Sequence, residues 1–259
     1  MHARLGLTFT AVLIAALQAP PASAARTFVP PPILMYHRVD VASPNDEISR
    51  DLTVTPSQLE QQLAYLKQQH VTAISMADLE ERLKHRLPLD RTIVLTFDDG
   101  YADQYRYAVP LLRKFGDRAT FYIVTGALGK PRHLTWEELR TMAHERMDIA
   151  AHGVQHDALS LMTAAQQRHQ IGGSIKSLES ALRKPIESYA YPSGRFNRAT
   201  LAIVREQRIP LAVTTDPVNV IPPASALQLT RLRIHGSWTL RDFGSSIQRA
   251  FEARHPVLR

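Results

Sequence analysis

Apolar, strand-like runs alternate with capped, helix-like segments along nearly the whole of this 259-residue chain. That alternation constrains the fold more than any other feature. A strand, a helix and a second strand join most simply as a parallel crossover. Repeated seven or so times, the unit builds an α/β fold, a parallel sheet with helices outside it, open or closed into a barrel. Strands are expected at Ile33–Tyr36, Val71–Ile74, Thr92–Phe97, Ala119–Val124, Met147–Ala151, Ser188–Tyr191, Leu211–Thr214 and Leu232–Ile234. Between them the helix starts are written out. Thr55 stands before Pro56 and three residues ahead of Gln58, and Thr135 three ahead of Glu138, which are capping boxes. Leu59, Leu63 and Leu66 follow at helical spacing. Further helices are expected from Ser75, over Ala102–Phe115, Thr163–Leu182, Ala199–Gln207 and Leu240–Phe251, with 40–54 as a surface loop.

Residues 1–24 read as an export signal rather than as part of the fold. Arg4 supplies the positive start, Leu5 to Leu17 the apolar core, and Ala22-Ser23-Ala24 the cleavage site. The apolar core is too short for a comfortable membrane span. Residues 25–32 form a Pro-rich linker, and 33–259 the domain, a length that suits one α/β barrel. The expected compartment is therefore outside the cytoplasm, periplasmic or secreted. The chain has no cysteine, so no disulfide supports the fold. Its net charge of +7 is spread along the sequence with no tract of interleaved aromatics. A nucleic-acid partner is not expected, and neither is an integral membrane segment after the signal is removed.

In a barrel the chemistry gathers at the C-terminal ends of the strands. His37, Asp98, Asp99, His152 and the Tyr191-Pro192 turn all fall there. Asp98 and Asp99 close the strand Thr92–Phe97 and are followed by Gly100. Side chains alternate along a strand, so the two carboxylates point in different directions. Both cannot stay ionised in an apolar site without help. A metal on one solves the problem and frees the other as a base. Asp-Asp-Gly alone fits a strand-ending turn equally well. His152 and His156 stand at i and i+4, and on a helix they would face the same way and grip one ion. Two His and one carboxylate make a common divalent site with open positions.

Thr96-Phe97-Asp98-Asp99-Gly100, His152-Gly153-Val154-Gln155-His156 and Tyr189-Ala190-Tyr191-Pro192-Ser193-Gly194 resemble, in order and spacing, the successive motifs of the NodB-homology polysaccharide deacetylases, carbohydrate esterase family 4. The resemblance covers roughly residues 30 to 245. It implies a distorted (β/α)7 barrel, a divalent ion (Zn²⁺, with Co²⁺ or Ni²⁺ accepted by the same ligands), and hydrolysis of N-acetyl groups on amino-sugar polymers. By position, Asp98 would be the general base. Asp99, His152 and His156 would hold the metal. The Tyr191, Pro192 and Gly194 turn would meet substrate and oxyanion, through a backbone N–H around Tyr191. Leu34-Met35-Tyr36-His37 is similar to the branch acting on poly-β-1,6-N-acetylglucosamine, whose barrel is circularly permuted. That resemblance favours His37 as general acid, with His235 as the alternative.

Three positions depart from the pattern. Gly153 replaces a common Ser or Thr, a change expected to loosen the loop. Ala190 stands where many members have an arginine paired to the base, so Arg231 or Arg233 is expected to orient Asp98. Ser193 replaces the branch's usual Tyr and is expected to alter the substrate groove. A non-catalytic carbohydrate-binding barrel and a metal-dependent amidase or esterase on a small substrate are the competing readings.

Overall fold

The computed structural model describes residues 29–41, 46–216 and 226–254. The expected export signal lies outside the described residues, as does the first half of the expected linker. The strands are β1 (Ile33–Tyr36), β2 (Arg38–Val39), β3 (Thr53–Val54), β4 (Thr72–Ile74), β5 (Thr92–Phe97), β6 (Thr120–Ile123), β7 (Asp148–Ala151), β8 (Ser188–Ala190), β9 (Leu211–Val213) and β10 (Leu232–Arg233). The α-helices are α1 (Glu47–Leu52), α2 (Pro56–Gln68), α3 (Met76–Lys84), α4 (Val109–Phe115), α5 (Trp136–His144), α6 (Ala164–Leu182), α7 (Arg198–Glu206) and α8 (Leu240–Arg254). The Thr55 and Thr135 boxes form as expected, with both reciprocal bonds present. Each such cap stabilises its helix by about 1 kcal/mol.

The main sheet runs β10-β1-β5-β6-β7-β8-β9, and every pair in it is parallel. One edge of β5 is shared. β4 pairs with its first half (Thr72 with Thr92, Ile74 with Val94), and β6 with its second half (Thr96 with Thr120, Phe97 with Phe121). The two ends of the sheet meet through the segment leading into β10. Leu229 bridges to Val213 of β9, and three residues later Leu232 pairs with Leu34 of β1. The result is the expected distorted (β/α) barrel. Its first strand lies beside its last, the junction that a circular permutation needs.

The strand alternation divides the core in two. Leu34, Tyr36, Leu95, Phe97, Phe121 and Ile149 face the helices, with Tyr36, Phe97 and Phe121 stacked at 5.0 Å between successive ring centres. Ile33, Val94, Tyr122, Ala150, Ala190 and Val213 fill the barrel interior. Two expectations need correction. Residues 40–54 are not all loop: Asp46 caps α1, and β3 pairs in parallel with β2. A two-residue strand carries too short a pattern to be read in sequence. The expected helix over Ala102–Phe115 is interrupted by a π-helical turn, Gln104–Ala108. Pro110 has no N–H and its ring crowds the carbonyl four residues back. The Val109 N–H accordingly reaches back to the Gln104 carbonyl.

Candidate active site

Val94, Thr96 and Asp98 share the inward phase of β5, so the Asp98 carboxylate enters the barrel interior. The next two residues are left-handed, Asp99 at φ 75° and Gly100 at φ 73°. A Cβ at Gly100 would sit 3.2 Å from Ile123 Cδ1. This turn swings Asp99 away from Asp98 and gives the two carboxylates separate surroundings.

Asp98 meets a buried arginine. Arg231 is 0% exposed and Asp98 2%. The guanidinium donates from Nη1 to Oδ1 and from Nη2 to Oδ2, each at 2.7 Å. Arg231 also donates from Nε to the Thr214 carbonyl at 2.8 Å and from Nη1 to Thr96 Oγ1 at 3.1 Å. Its flat face lies 5.6 Å from the Tyr122 ring centre. Burial pushes the Asp98 carboxyl up, but the Arg231 charge and hydrogen bonds override it and hold it well below the usual range. Of the two arginines expected to orient Asp98, Arg231 makes this contact.

Asp99 faces the histidines. Its Oδ1 lies 3.6 Å from His152 Nε2 and 3.6 Å from His156 Nε2. One donor atom from each of the three falls within 4.8 Å of the others. A tetrahedral ion with bonds near 2.1 Å needs ligand separations of about 3.4 Å. Asp99 Oδ1 is buried with no hydrogen-bond partner. The His152 Nδ1 donates to the Ala190 carbonyl at 2.8 Å, which leaves the Nε2 lone pair turned to the triad. Burial pulls His152 down against the pull of Asp98 and Asp99, so its ring is neutral, as a ligand must be. Residues present therefore fit a divalent ion.

The histidine pair is not on a helix, contrary to the spacing argument. It sits on a loop that turns at Gly153, where φ is 83°. A Cβ there would lie 3.0 Å from the Gln155 carbonyl, so glycine suits the turn. Nor is the loop loose. Gln170 Oε1, from α6, accepts from the Val154 and Gln155 N–H groups at 3.1 and 2.7 Å.

His37 follows β1 and stands within electrostatic reach of Asp98, Arg231, Arg233 and His156. Burial is the main cause that lowers it to about 4, with Asp98 opposing. His235 is turned elsewhere: its Nδ1 hydrogen-bonds Asp51 at 2.7 Å, and its ring packs 5.1 Å from Trp238. In the Tyr191–Gly194 turn, the Tyr191 N–H is already spent on the Val213 carbonyl at 3.1 Å, and the Gly194 N–H on the Tyr191 carbonyl at 2.8 Å. Pro192 has no N–H. Ser193 N–H is the turn's other backbone donor. A cleft of about 370 Å³ opens beside the triad, walled by Asp99, His156, Tyr101 and His133. The last two rings stack 5.1 Å apart.

A family model described as "Polysaccharide deacetylase" matches residues 86–212, a span holding Asp98, Asp99, His152 and His156. The structure of the Streptococcus pyogenes deacetylase PplD in complex with acetate superposes with a TM-score of 0.76 at 30% identity, over 85% of this chain and 98% of that one. The chain belongs to the polysaccharide deacetylase family. As a member it is a hydrolase of carbon–nitrogen bonds. The deacetylase is 28% identical to YxkH of Bacillus subtilis (strain 168), over 84% of this chain and 76% of that protein. It is 25% identical to the Staphylococcus aureus (strain MRSA252) poly-β-1,6-N-acetyl-D-glucosamine N-deacetylase, over 78% and 77%. His37 and Arg231 both lie outside the matched span. In this deacetylase sequence reasoning missed Gln104 and Gln170, two buried glutamines with no motif spacing to mark them.

Proposed function

We propose that the chain is a metal-dependent N-deacetylase of an N-acetylglucosamine polymer. The observation that carries this reading is the division of two adjacent aspartates. One sits in a three-ligand cluster of the right dimensions. The other is kept apart and ionised by a buried arginine. Support for the polymer comes from the Staphylococcus aureus relative, whose name specifies poly-β-1,6-N-acetyl-D-glucosamine. Asp99, His152 and His156 would hold the ion, for which Zn²⁺ is the first expectation and Co²⁺ or Ni²⁺ fit the same donors. When bound, such an ion polarises the acetyl carbonyl and lowers the pKa of water.

The chain's own residues do the rest. Asp98, ionised at neutral pH, accepts the proton of the attacking water. Ser193 N–H is the donor offered to the developing oxyanion. His37 delivers a proton to the leaving nitrogen. Because burial keeps its ring neutral at rest, that proton must enter His37 during the cycle, and Asp98 is the neighbouring acid that has just gained one. Export from the cytoplasm, expected from residues 1–24, belongs to the same reading.

The test is acetate release by purified protein from poly-β-1,6-N-acetylglucosamine, chitin oligomers and peptidoglycan, with and without chelator. Release that is lost on chelation and restored by Zn²⁺ supports the reading. Saccharide binding without acetate would favour the non-catalytic barrel. Turnover confined to small acetyl esters would favour the small-substrate esterase.

A further inference from the structure

Two buried glutamines outside the recognisable motifs each grip the backbone of a different half of the centre. Gln104 is 0% exposed and sits in the π-helical turn after β5. Its single amide nitrogen donates to the His37 carbonyl at 2.6 Å and to the Asp98 carbonyl at 2.5 Å. One side chain thus ties the end of β1 to the end of β5, at the two residues read above as acid and base. The π-turn begins right after Asp103, whose carboxylate accepts from the Val39 N–H at 3.1 Å and from Arg38 Nε at 3.0 Å. The wound-out turn is therefore anchored against the segment that carries His37. Such π-turns are frequent at functional sites.

Gln104 Oε1 is buried without a partner. An unsatisfied buried oxygen is unfavourable, and an apolar side chain of the same shape would avoid it. The position keeps its amide for what the N–H₂ group holds. Gln170 is the counterpart on the other half. Its oxygen accepts two N–H groups of the loop between His152 and His156.

We infer that Gln104 is the positioning residue for the acid–base pair, and that Gln170 is the positioning residue for the metal-binding loop. The two functions are separable because the two glutamines share no partner. This rests on the assignment of His37 and Asp98 as acid and base. Full activity in Asp98→Asn would overturn that assignment, whereas the experiment below tests the glutamines.

The full chain is prepared as wild type, Gln104→Met and Gln170→Met, both near-isosteric changes that remove the amide. Zn²⁺ alone is titrated against a chromophoric chelator to give its Kd, and kcat and KM are measured at saturating Zn²⁺ by acetate release. Gln104→Met should lose about 10- to 100-fold in kcat, with KM and the Zn²⁺ Kd within about twofold of wild type. Gln170→Met should weaken Zn²⁺ binding about 10- to 100-fold, the usual effect of losing a group that orients a ligand, and keep kcat within about threefold once saturated. Gln170→Glu, which keeps an acceptor oxygen, should restore most of the affinity. Equal losses of kcat and affinity in both Met variants would make the glutamines general packing and overturn the inference, as would wild-type kcat in Gln104→Met. Should Gln104→Met not fold, Gln104→Asn takes its place. Its amide is one methylene too short to span both carbonyls, so kcat falls with Zn²⁺ binding intact, and an unchanged kcat overturns the inference.

Discussion

Removing the guanidinium of Arg231 should damage stability and turnover together, and the size of each effect follows from the pair's surroundings. Arg231→Met keeps most of the side-chain volume and deletes the charge. Both partners are fully buried, and Asp98 receives both hydrogen bonds from this one group. Breaking such a pair leaves a buried charge uncompensated, at a cost of about 3–5 kcal/mol. For a domain of this size that lowers Tm by about 6–20 °C. The loss must also depend on pH. In the wild type the folded Asp98 titrates below its unfolded value, so its stabilisation is present above about pH 4 and disappears as the pH falls. Without Arg231 only His152 and His37 still oppose burial, so the folded value rises and acid relieves the variant. The stability gap between the two proteins should therefore shrink as pH falls from 7 to below about 4. Thermal and urea melts across that range read it directly. An Asp98 that no guanidinium orients or holds ionised is a poorer proton acceptor, so kcat should fall about 100-fold or more. Asp98→Asn combined with Arg231→Met removes both charges and should be more stable than Arg231→Met alone. A loss under about 1 kcal/mol with kcat intact, or a double variant no more stable than the single, would refute this account of how Asp98 is held.

Other substitutions separate the functions of neighbouring atoms. Asp99→Ala should abolish Zn²⁺ binding in a chelator titration, whereas Asp98→Asn should retain the ion and lose acetate release. Gly153→Ala forces a side chain into φ 83° and against the Gln155 carbonyl; it should cost about 1–2 kcal/mol and weaken Zn²⁺ binding. Metal-free protein should lose stability as pH falls from 6.5 towards 4. His37 titrates near 4 when folded and near 6.5 when unfolded, so the unfolded chain takes up the proton first. Urea melts should register a loss of up to about 3 kcal/mol from this group, with His152 adding in the same direction, and His37→Gln should flatten part of it.

Local chemistry made much of the molecule legible in the sequence. β1, β5 and the capped helix starts stand where apolar runs and Thr-x-x-Gln or Thr-x-x-Glu spacing put them, because each signal is complete within a few residues. That Asp98 and Asp99 point in different directions was legible for the same reason. What stayed hidden depends on distant partners. Arg231 is 133 residues from Asp98, and nothing around Leu229–Arg233 says which of two arginines points inward until the strand's phase in the barrel is known. Gln104 and Gln170 act by length and direction rather than by a sequence pattern. The histidine pair was found for the wrong reason: i, i+4 spacing suggested a helix, but a glycine turn tied to α6 brings the rings together. That the Tyr191 N–H is taken up by the Val213 carbonyl was hidden for the same reason, since it depends on a strand pairing.

The closing segment of the barrel carries a consequence for the order in which activity arises during synthesis. Residues 229–233 both seal the ring and deliver the guanidinium to Asp98. A nascent chain that has emerged only through β8 already contains Asp99, His152 and His156. It would have the whole Asp-His-His cluster and no counter-charge for Asp98. The Asp-His-His cluster and the Asp98–Arg231 pair should thus be completed in sequence along the polypeptide, the pair only when the last strand docks. Until then Asp98 would face an unsealed barrel interior with no guanidinium beside it.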